Sequence, residues 1–133
     1  MSQRLKLKLQ VMCNDAIAMG PGKADLLDQI EVTGSIASAA REMGMSYRRA
    51  WQLVDVMNRC WAARLVETTP GRAAGGARLT QTGREVLAAY RKLQVELGAS
   101  ASGPGWDHLA RMVRNAPLPS HHGTTGQATR ETA

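Results

Sequence analysis

The sequence predicts a mainly α-helical domain that carries a small amount of β structure. Its 133 residues are the length of one domain, and 44% of them are hydrophobic, which is enough for a core. Two short helical segments meet at Gly44, the spacing of a helix pair joined by a tight turn. Two extended segments then flank a glycine-rich loop at 70–76, and a longer helical segment follows. This order is typical of a winged helix-turn-helix domain with an N-terminal strand and a long helix after the wing.

The first element is a strand predicted over residues 5–11. Apolar residues alternate with polar ones there, so they share one face of an extended chain: Leu5, Leu7, Leu9 and Val11. A single strand leaves its backbone hydrogen-bonding groups unpaired. We therefore expect it to pair either with a later strand of this chain or with a strand of a neighbouring subunit.

Helices 1 and 2 are predicted next. Helix 1 covers about residues 23–32, after a Gly-Pro-Gly segment that suits a helix start, and Gly34 ends it. Ser35 can cap helix 2, because its hydroxyl can accept a hydrogen bond from an unpaired backbone N–H. The apolar face of helix 2 consists of Ile36, Ala39, Ala40 and Met43. Gly44 then supplies the turn to the next helix.

Helix 3 is predicted from a Ser46 cap to about Trp61. The residues expected to face inward are Ala50, Val54, Met57 and Trp61. The residues expected to face outward are Arg48, Gln52, Asp55 and Arg59, with Arg49 beside them. The helix is therefore amphipathic, and the N-terminal half of its polar face is basic.

A β-hairpin and a long helix complete the predicted domain. The strands cover residues 65–69 and 77–80, and helix 4 runs from a Thr80 or Thr82 cap to about Leu97. Its apolar residues form a seam with spacings of four, three and four: Val86, Tyr90, Leu93 and Leu97. Such a seam packs either on a partner helix or on the core of the same subunit.

The chain changes in composition after this helix. We predict the domain over residues 1–97, a linker with a short helix over 98–116, and a disordered tail over 117–133 that is rich in Pro, Ser, Gly and Thr. The short helix is expected over about 106–115. The residues expected to face inward on it are Leu109, Met112 and Val113.

The charge distribution indicates a polyanionic partner. The formal net charge is +6, and residues 41–92 hold ten basic residues against four acidic ones.

No apolar run is long enough to cross a bilayer, and the first residues lack the apolar block of a signal peptide. Cys13 and Cys60 form no CxxC motif. We expect a cytoplasmic protein with reduced cysteines, no membrane partner, no cofactor and no metal.

Helix 3 is predicted to enter the major groove of double-stranded DNA. The second helix of a helix-turn-helix lies in that groove with its N-terminal residues toward the base edges. Arg48 or Arg49 can donate two hydrogen bonds to guanine, and Gln52 can contact adenine. Arginines of the hairpin can reach phosphates or the minor groove. The predicted DNA contacts are Ser35, Ser46, Tyr47, Arg48, Arg49, Gln52, Arg72 and Arg78.

These segments resemble a known family. The stretch Gly44-Met45-Ser46-Tyr47-Arg48-Arg49-Ala50-Trp51, with Gly34-Ser35-Ile36 before it and Met57-Asn58 after it, is similar to the helix-turn-helix of ModE-type molybdate-responsive transcriptional regulators. Leu65-Val66-Glu67, Gly75-Gly76, Leu79-Thr80 and Gly83 resemble the wing and the start of the following helix in that family. The resemblance covers roughly residues 5–97.

The resemblance implies a homodimer that binds an inverted-repeat DNA site. The family's dimer contacts carry over to Leu5, Leu7, Leu9, Val86, Tyr90, Leu93 and Leu97, and its recognition residues to Ser46, Tyr47, Arg48 and Arg49. Family members also have a second region of small β-barrels that binds molybdate. Residues 98–133 show no strand pattern for it, so we expect this chain not to sense molybdate itself, and a separate molybdate-sensing partner remains an open alternative.

Other classes of function are open to this sequence. A winged helix can serve as a protein-interaction module, and an effector-independent accessory or nucleoid DNA-binding protein would share its basic helix. Catalysis is not expected, since the serines, cysteines and histidines fall in no recognisable nucleophile–base order.

Overall fold

The computed structural model describes residues 4–69 and 76–120 of the chain. Its elements in chain order are β1 (Val11–Cys13), β2 (Ala16–Met19), α1 (Pro21–Thr33), α2 (Ile36–Glu42), α3 (Tyr47–Cys60), β3 (Val66–Thr69), β4 (Gly76–Leu79), α4 (Gln81–Ser100) and α5 (Pro104–Met112). Residues 7–101 form one compact unit, which holds β1 through α4, and α5 belongs to a second unit. The predicted fold class, a winged helix-turn-helix with a long helix after the wing, is confirmed.

The predicted strand over residues 5–11 is wrong in its bounds. Residues 4–10 form no strand in the described part of the chain, and pairing begins only at Val11. The partner is β2, a later strand of the same chain, which pairs antiparallel with β1. Because β2 is four residues long, it reaches only the end of the alternating segment. The two-residue turn begins at Asn14, whose φ of 57° lies in the left-handed region that asparagine tolerates.

The helix pair follows the sequence closely. Helix α1 begins at Pro21 and ends at Thr33, and it is followed by Gly34, whose φ of 77° is left-handed. Gly44, with a φ of 68°, turns the chain between α2 and α3. Three of the four residues expected inside helix 3 are fully buried, and Trp61 is half-buried. The core of the unit combines these three helices with the hairpin: Leu26, Leu27, Ile30, Ala39, Ala40, Ala50, Val54, Met57, Leu65, Val66 and Leu79.

Strands β3 and β4 form the hairpin that we call the wing. They pair antiparallel from Val66 opposite Leu79 to Thr69 opposite Gly76. The wing also contacts the helix pair, since the backbone N–H of Ala77 donates to the carbonyl of Gly34 at 2.9 Å. Residues 70–75 at the tip, with the predicted DNA contact Arg72, lie outside the described residues.

Helix α4 packs on its own unit along its first half. Tyr90 is 4% exposed and its Oη donates to the backbone carbonyl of Leu9 at 2.7 Å. Arg91 Nη2 lies 2.8 Å from a carboxylate oxygen of Asp25 and 2.5 Å from one of Asp28, both on α1. Val86 also packs against the core. The four residues of the predicted seam therefore differ in burial. Val86 and Tyr90 belong to the chain's own core, whereas Leu93 and Leu97 are exposed.

Helix α5 differs from the prediction in position and in burial. It begins at Pro104, since proline is favoured in the first turn, and it ends at Met112. The residues expected to face inward, Leu109, Met112 and Val113, are all exposed, so that expectation is wrong. Residues 117–120 are exposed and carry no regular structure, and the rest of the predicted tail, 121–133, lies outside the described residues.

Candidate nucleic-acid interface

The N-terminal end of α3 presents a short exposed segment that is held in place by a cap. Ser46 Oγ accepts a hydrogen bond from the backbone N–H of Arg49 at 3.0 Å, as its place before the helix predicts. Tyr47, Arg48 and Arg49 are exposed, while Ala50 behind them is fully buried. The cap and the buried alanine fix the first turn, so its exposed side chains start from a rigid backbone.

Arg48 and Arg49 are not neutralised by neighbouring carboxylates. Among the described residues neither guanidinium forms an ion pair or a side-chain hydrogen bond. Arg59 at the other end of the helix differs, since its Nε lies 3.0 Å from a carboxylate oxygen of Asp55. The free positive charge of α3 is therefore concentrated at its N-terminus, where the helix dipole adds to the attraction for anions.

Lys23 on α1 adds positive charge to the same field. Burial lowers the pKa of Lys23, the nearby charge of Arg49 lowers it further, and Cys60 opposes the shift. Lys23 therefore lies within reach of the positive charge of Arg49.

Tyr47 and Trp51 form an aromatic pair on the exposed side of α3. Their ring centroids are 6.3 Å apart and their planes are 84° from parallel, an edge-to-face contact. Trp51 is half-buried against the core, while Tyr47 is exposed. Gln52 is exposed one turn after Arg48. The structure thus brings four predicted contacts, Tyr47, Arg48, Arg49 and Gln52, onto one helical stretch.

The two serine candidates have capping roles. Ser35 is half-buried at the start of α2, and its Oγ accepts from the backbone N–H of Ser38 at 2.9 Å. Ser46 caps α3 in the same way. A hydroxyl that accepts one hydrogen bond still has its own proton to donate. Both serines can therefore cap a helix and contact a phosphate at the same time.

The wing contributes one described arginine. Arg78 Nε lies 2.9 Å from a carboxylate oxygen of Glu67, directly opposite it in the hairpin. Both side chains are exposed, so the pair adds little to stability and Arg78 can exchange its partner.

Asn58 is a structural residue of this region that sequence reasoning did not identify. Its Oδ1 accepts from the backbone N–H groups of Leu65 at 2.8 Å and Val66 at 3.0 Å, and its Nδ2 donates to the carbonyl of Val66 at 3.2 Å. These three bonds tie α3 to Leu65 and to Val66, the first residue of β3. The signal in the sequence is an asparagine inside a helix, where its propensity is poor.

An apolar groove lies beside α4. It has a volume of about 260 Å³, and its lining residues are Val11, Met19, Trp61, Glu85, Val86, Ala89, Tyr90 and Leu93. Three of these are predicted dimer contacts.

Within the described residues no three His, Cys, Asp or Glu side chains are placed to hold a metal ion. Nor does any described helix have the length and apolar character needed to cross a membrane.

Comparison with known proteins relates the chain to molybdenum proteins of bacteria. No family model matches. The chain is 47% identical over 77 residues to the molybdenum-pterin-binding protein MopB of Rhodobacter capsulatus, covering 57% of this chain and 28% of MopB. It is 38% identical over 93 residues to MopA of the same organism, covering 69% of this chain and 35% of MopA. It is 37% identical over 87 residues to the DNA-binding transcriptional dual regulator ModE of Escherichia coli K12, covering 65% of this chain and 32% of that ModE. The chain thus spans about a third of the length of these relatives.

A solved structure supports the fold independently. The DNA-binding domain of CbnR, in its complex with DNA, superposes with a TM-score of 0.50 at 20% identity, covering 69% of this chain and 97% of that one. At this identity the likeness shows the fold alone. The chain is therefore homologous in its N-terminal region to ModE-type proteins, and it has the winged helix-turn-helix fold.

Proposed function

We propose that this chain is a DNA-binding transcriptional regulator linked to molybdenum, and that it reads double-stranded DNA in the major groove through the N-terminal end of α3. The observation that carries the proposal is the pair of exposed arginines, Arg48 and Arg49, without acidic partners among the described residues, on the second helix of a winged helix-turn-helix. The homology to proteins named as ModE regulators supports the regulatory role and the link to molybdenum.

In this proposal α3 supplies both sequence reading and anchoring. Arg48 or Arg49 donates two hydrogen bonds to guanine O6 and N7, and Gln52 contacts adenine or a backbone oxygen. Tyr47 and the hydroxyl of Ser46 donate to phosphates beside the groove. The rigid first turn of α3 supports this assignment, because base reading requires side chains that extend from a fixed backbone.

The rest of the domain supplies contacts to the sugar–phosphate backbone. Helix α2 crosses the backbone with Ser35 at its start, as the first helix of such a pair does. Arg78 of the wing leaves Glu67 and binds a phosphate. Arg72 also binds a phosphate in the proposal. Phosphate contacts of this kind set affinity and orientation, whereas the contacts of α3 set specificity.

We also propose that the chain acts as a homodimer on an inverted repeat. Leu93 and Leu97 on the second half of α4 are exposed, and Leu5 and Leu7 near the N-terminus are exposed as well. The apolar groove lies next to Leu93. Exposed apolar residues of this kind are covered when two copies associate. A two-fold dimer presents two α3 helices to half-sites one or more helical turns apart.

Selection of bound duplexes from a random pool tests the proposal. The protein is incubated with the pool at physiological salt, once with and once without molybdate, and the retained duplexes are sequenced. We expect an inverted repeat to be enriched. Failure to enrich any sequence in either arm contradicts the proposal, and stronger enrichment with molybdate shows that the link to molybdenum is direct.

A further inference from the structure

Helix α4 leaves the packed part of the domain at Arg91. The residue before it, Tyr90, is buried and bonded to the carbonyl of Leu9. From residue 92 to residue 100 every side chain except that of Gln94 is exposed. Leu93 and Leu97, which the proposed dimer covers, belong to this exposed half. In that dimer the two copies therefore meet on a part of α4 whose direction is set where the helix leaves the domain.

The guanidinium of Arg91 is bonded to both α1 and α4. Its Nη2 donates to carboxylate oxygens of Asp25 at 2.8 Å and Asp28 at 2.5 Å, both on α1. Its Nη1 donates to the amide oxygen of Gln94, three residues further along α4, at 3.0 Å. A planar guanidinium with its donors engaged on two nitrogens has a defined orientation. We call these four residues the Arg91 cluster.

The Arg91 cluster affects geometry more than stability. The side chain of Arg91 is 35% exposed, and those of Asp25 and Asp28 are 59% and 48% exposed. Ion pairs with this exposure are screened by water, so they contribute little to the free energy of folding. Two carboxylates on one guanidinium nevertheless form a network, and a tilt of α4 away from α1 lengthens both of its bonds.

Helix α1 connects the Arg91 cluster to α3. Leu27 and Ile30 on α1 are fully buried in the same core as Val54 and Met57 on α3. A close-packed interior of this kind transmits a displacement and does not absorb it. The direction in which α4 leaves the domain is therefore fixed relative to α3.

We propose that Arg91 is a positioning residue that sets the spacing of the two half-sites in the inverted repeat. This inference rests on the proposed function, that is, on a homodimer that reads DNA through α3. Because the exposed halves of α4 join the copies, the angle of α4 determines the separation of the two α3 helices. One extra base pair moves a half-site by about 3.4 Å and turns it by about 34° around the DNA axis. A fixed angle therefore selects one spacing, whereas a variable angle tolerates several.

The test uses duplexes that carry the selected half-sites at the selected spacing and at spacings changed by one or two base pairs, with a single half-site as reference. Fluorescence anisotropy measures the Kd of the full chain for each duplex at one salt concentration. We expect the wild type to bind its best spacing about tenfold or more tighter than the neighbouring spacings. Arg91→Ala should reduce this preference to about threefold or less. Its Kd for the single half-site and its dimeric mass in sedimentation should not change.

Lys92→Ala is the matched control. It removes a neighbouring positive charge that is exposed and forms no ion pair in the described part of the chain, so it should keep the wild-type preference. Asp25→Asn combined with Asp28→Asn removes the same ion pairs from the α1 side. It should reproduce the loss of preference, and it tests the proposal even where Arg91→Ala fails to fold.

The possible outcomes separate this inference from the proposed function. A wild type that binds all spacings of the repeat equally, or an Arg91→Ala variant that keeps the wild-type preference or sediments as a monomer, overturns the role of Arg91 alone. An equal loss of affinity at every spacing does so as well, because it indicates a purely structural residue. A wild type that prefers no inverted repeat to a shuffled duplex contradicts the proposed function, and this inference with it.

Discussion

Asn58 sets the position of the wing relative to α3. One amide side chain makes all three hydrogen bonds to the backbone of Leu65 and Val66, and in the described part of the chain no other side chain of α3 bonds to these two residues. Asn58 is therefore one of the contacts that fix the wing on the helices, together with the hydrogen bond from Ala77 to Gly34 and the core packing of Val66 and Leu79.

We expect Asn58→Ala to lower the free energy of unfolding by about 1–3 kcal/mol, because two partly buried backbone N–H groups lose their acceptor. Urea denaturation measures the change. Gln52→Ala, at an exposed position of the same helix, serves as the control and should change stability by no more than about 0.5 kcal/mol. Equal losses in the two variants would show that Asn58 has no special role.

The contrast between Asn58 and the two capping serines shows which residue roles a sequence reveals. Ser35 and Ser46 each bond to a backbone N–H three residues away, so the interaction is local and follows from position in the helix. Asn58 bonds across a loop to a strand, and its position in the helical pattern gives no sign of that partner.

Tyr90 gives the chain a predictable alkaline sensitivity. Burial raises the pKa of Tyr90, Arg91 opposes the shift, and Asp25 adds to it. Because the folded state holds the proton more tightly, this contribution to stability is complete below the ordinary value of 10.0 and is lost as the pH rises through the folded-state value. The phenolate also cannot donate to the carbonyl of Leu9.

We expect Tyr90→Phe to be less stable than the wild type at pH 7, by about 0.5–1.5 kcal/mol for the lost hydrogen bond. Its stability should then fall less steeply than that of the wild type between about pH 9 and 11. Chemical denaturation at a series of pH values measures both effects. Parallel curves for the two proteins would exclude Tyr90 as the group responsible.

At the scale of elements, the junction between the wing and α4 is closely packed. Thr80 caps α4 by accepting from the N–H of Gly83, and it also donates to the carbonyl of Arg64 at 2.6 Å. A Cβ at Gly83 would lie only 2.1 Å from the backbone oxygen of Leu65. The start of α4 and the start of the wing can approach this closely only because Gly83 has no side chain.

We expect Gly83→Ala to destabilise the domain by about 1–3 kcal/mol or more, since the added methyl meets backbone that cannot move aside. Gly98→Ala is the matched control in the same helix. A Cβ there meets nothing within 4 Å, so alanine should stabilise the helix by up to about 1 kcal/mol. Thermal unfolding of both variants measures the difference, and a neutral Gly83→Ala would refute the close approach.

The elements that the sequence predicts correctly are those defined by local periodicity. Helices α1 to α4 and the wing have apolar spacing, caps and glycine stops that can be identified without knowledge of the fold. The β1–β2 hairpin escaped prediction because its turn, Asn14-Asp15, is a weaker signal than asparagine followed by glycine. For α5 the pattern identified residues that share a face, but periodicity does not say whether anything covers that face.

At the scale of the whole molecule, two of the exposed surfaces in the described part of the chain carry the proposed function. One is the cationic N-terminal end of α3, and the other is the apolar surface around Leu93 and Leu97 on α4. In the proposed dimer the second surface joins two copies, so that each presents the first to one half of an inverted repeat.

We expect Leu93→Lys to convert the dimer to monomers, because it places a charge on the apolar surface beside the groove. Leu93 is 37% exposed in the single chain, so the substitution should leave the fold intact. Val95→Lys is the matched control, since Val95 is 71% exposed on a different side of α4. Sedimentation analysis measures the mass in solution. A wild type that sediments as a monomer would remove the dimer from the proposal.

The most direct measurement compares the affinities of the wild type, Arg48→Ala and Arg59→Ala for the selected repeat and for a shuffled duplex at one salt concentration. We expect Arg48→Ala to lose about 1–3 kcal/mol on the repeat and less on the shuffled duplex. Arg59→Ala removes the same charge from the far end of α3, where Asp55 already pairs with it, and should change both affinities little. Equal losses for Arg48→Ala on the two duplexes, or a loss as large for Arg59→Ala, would contradict base reading by the N-terminal end of α3.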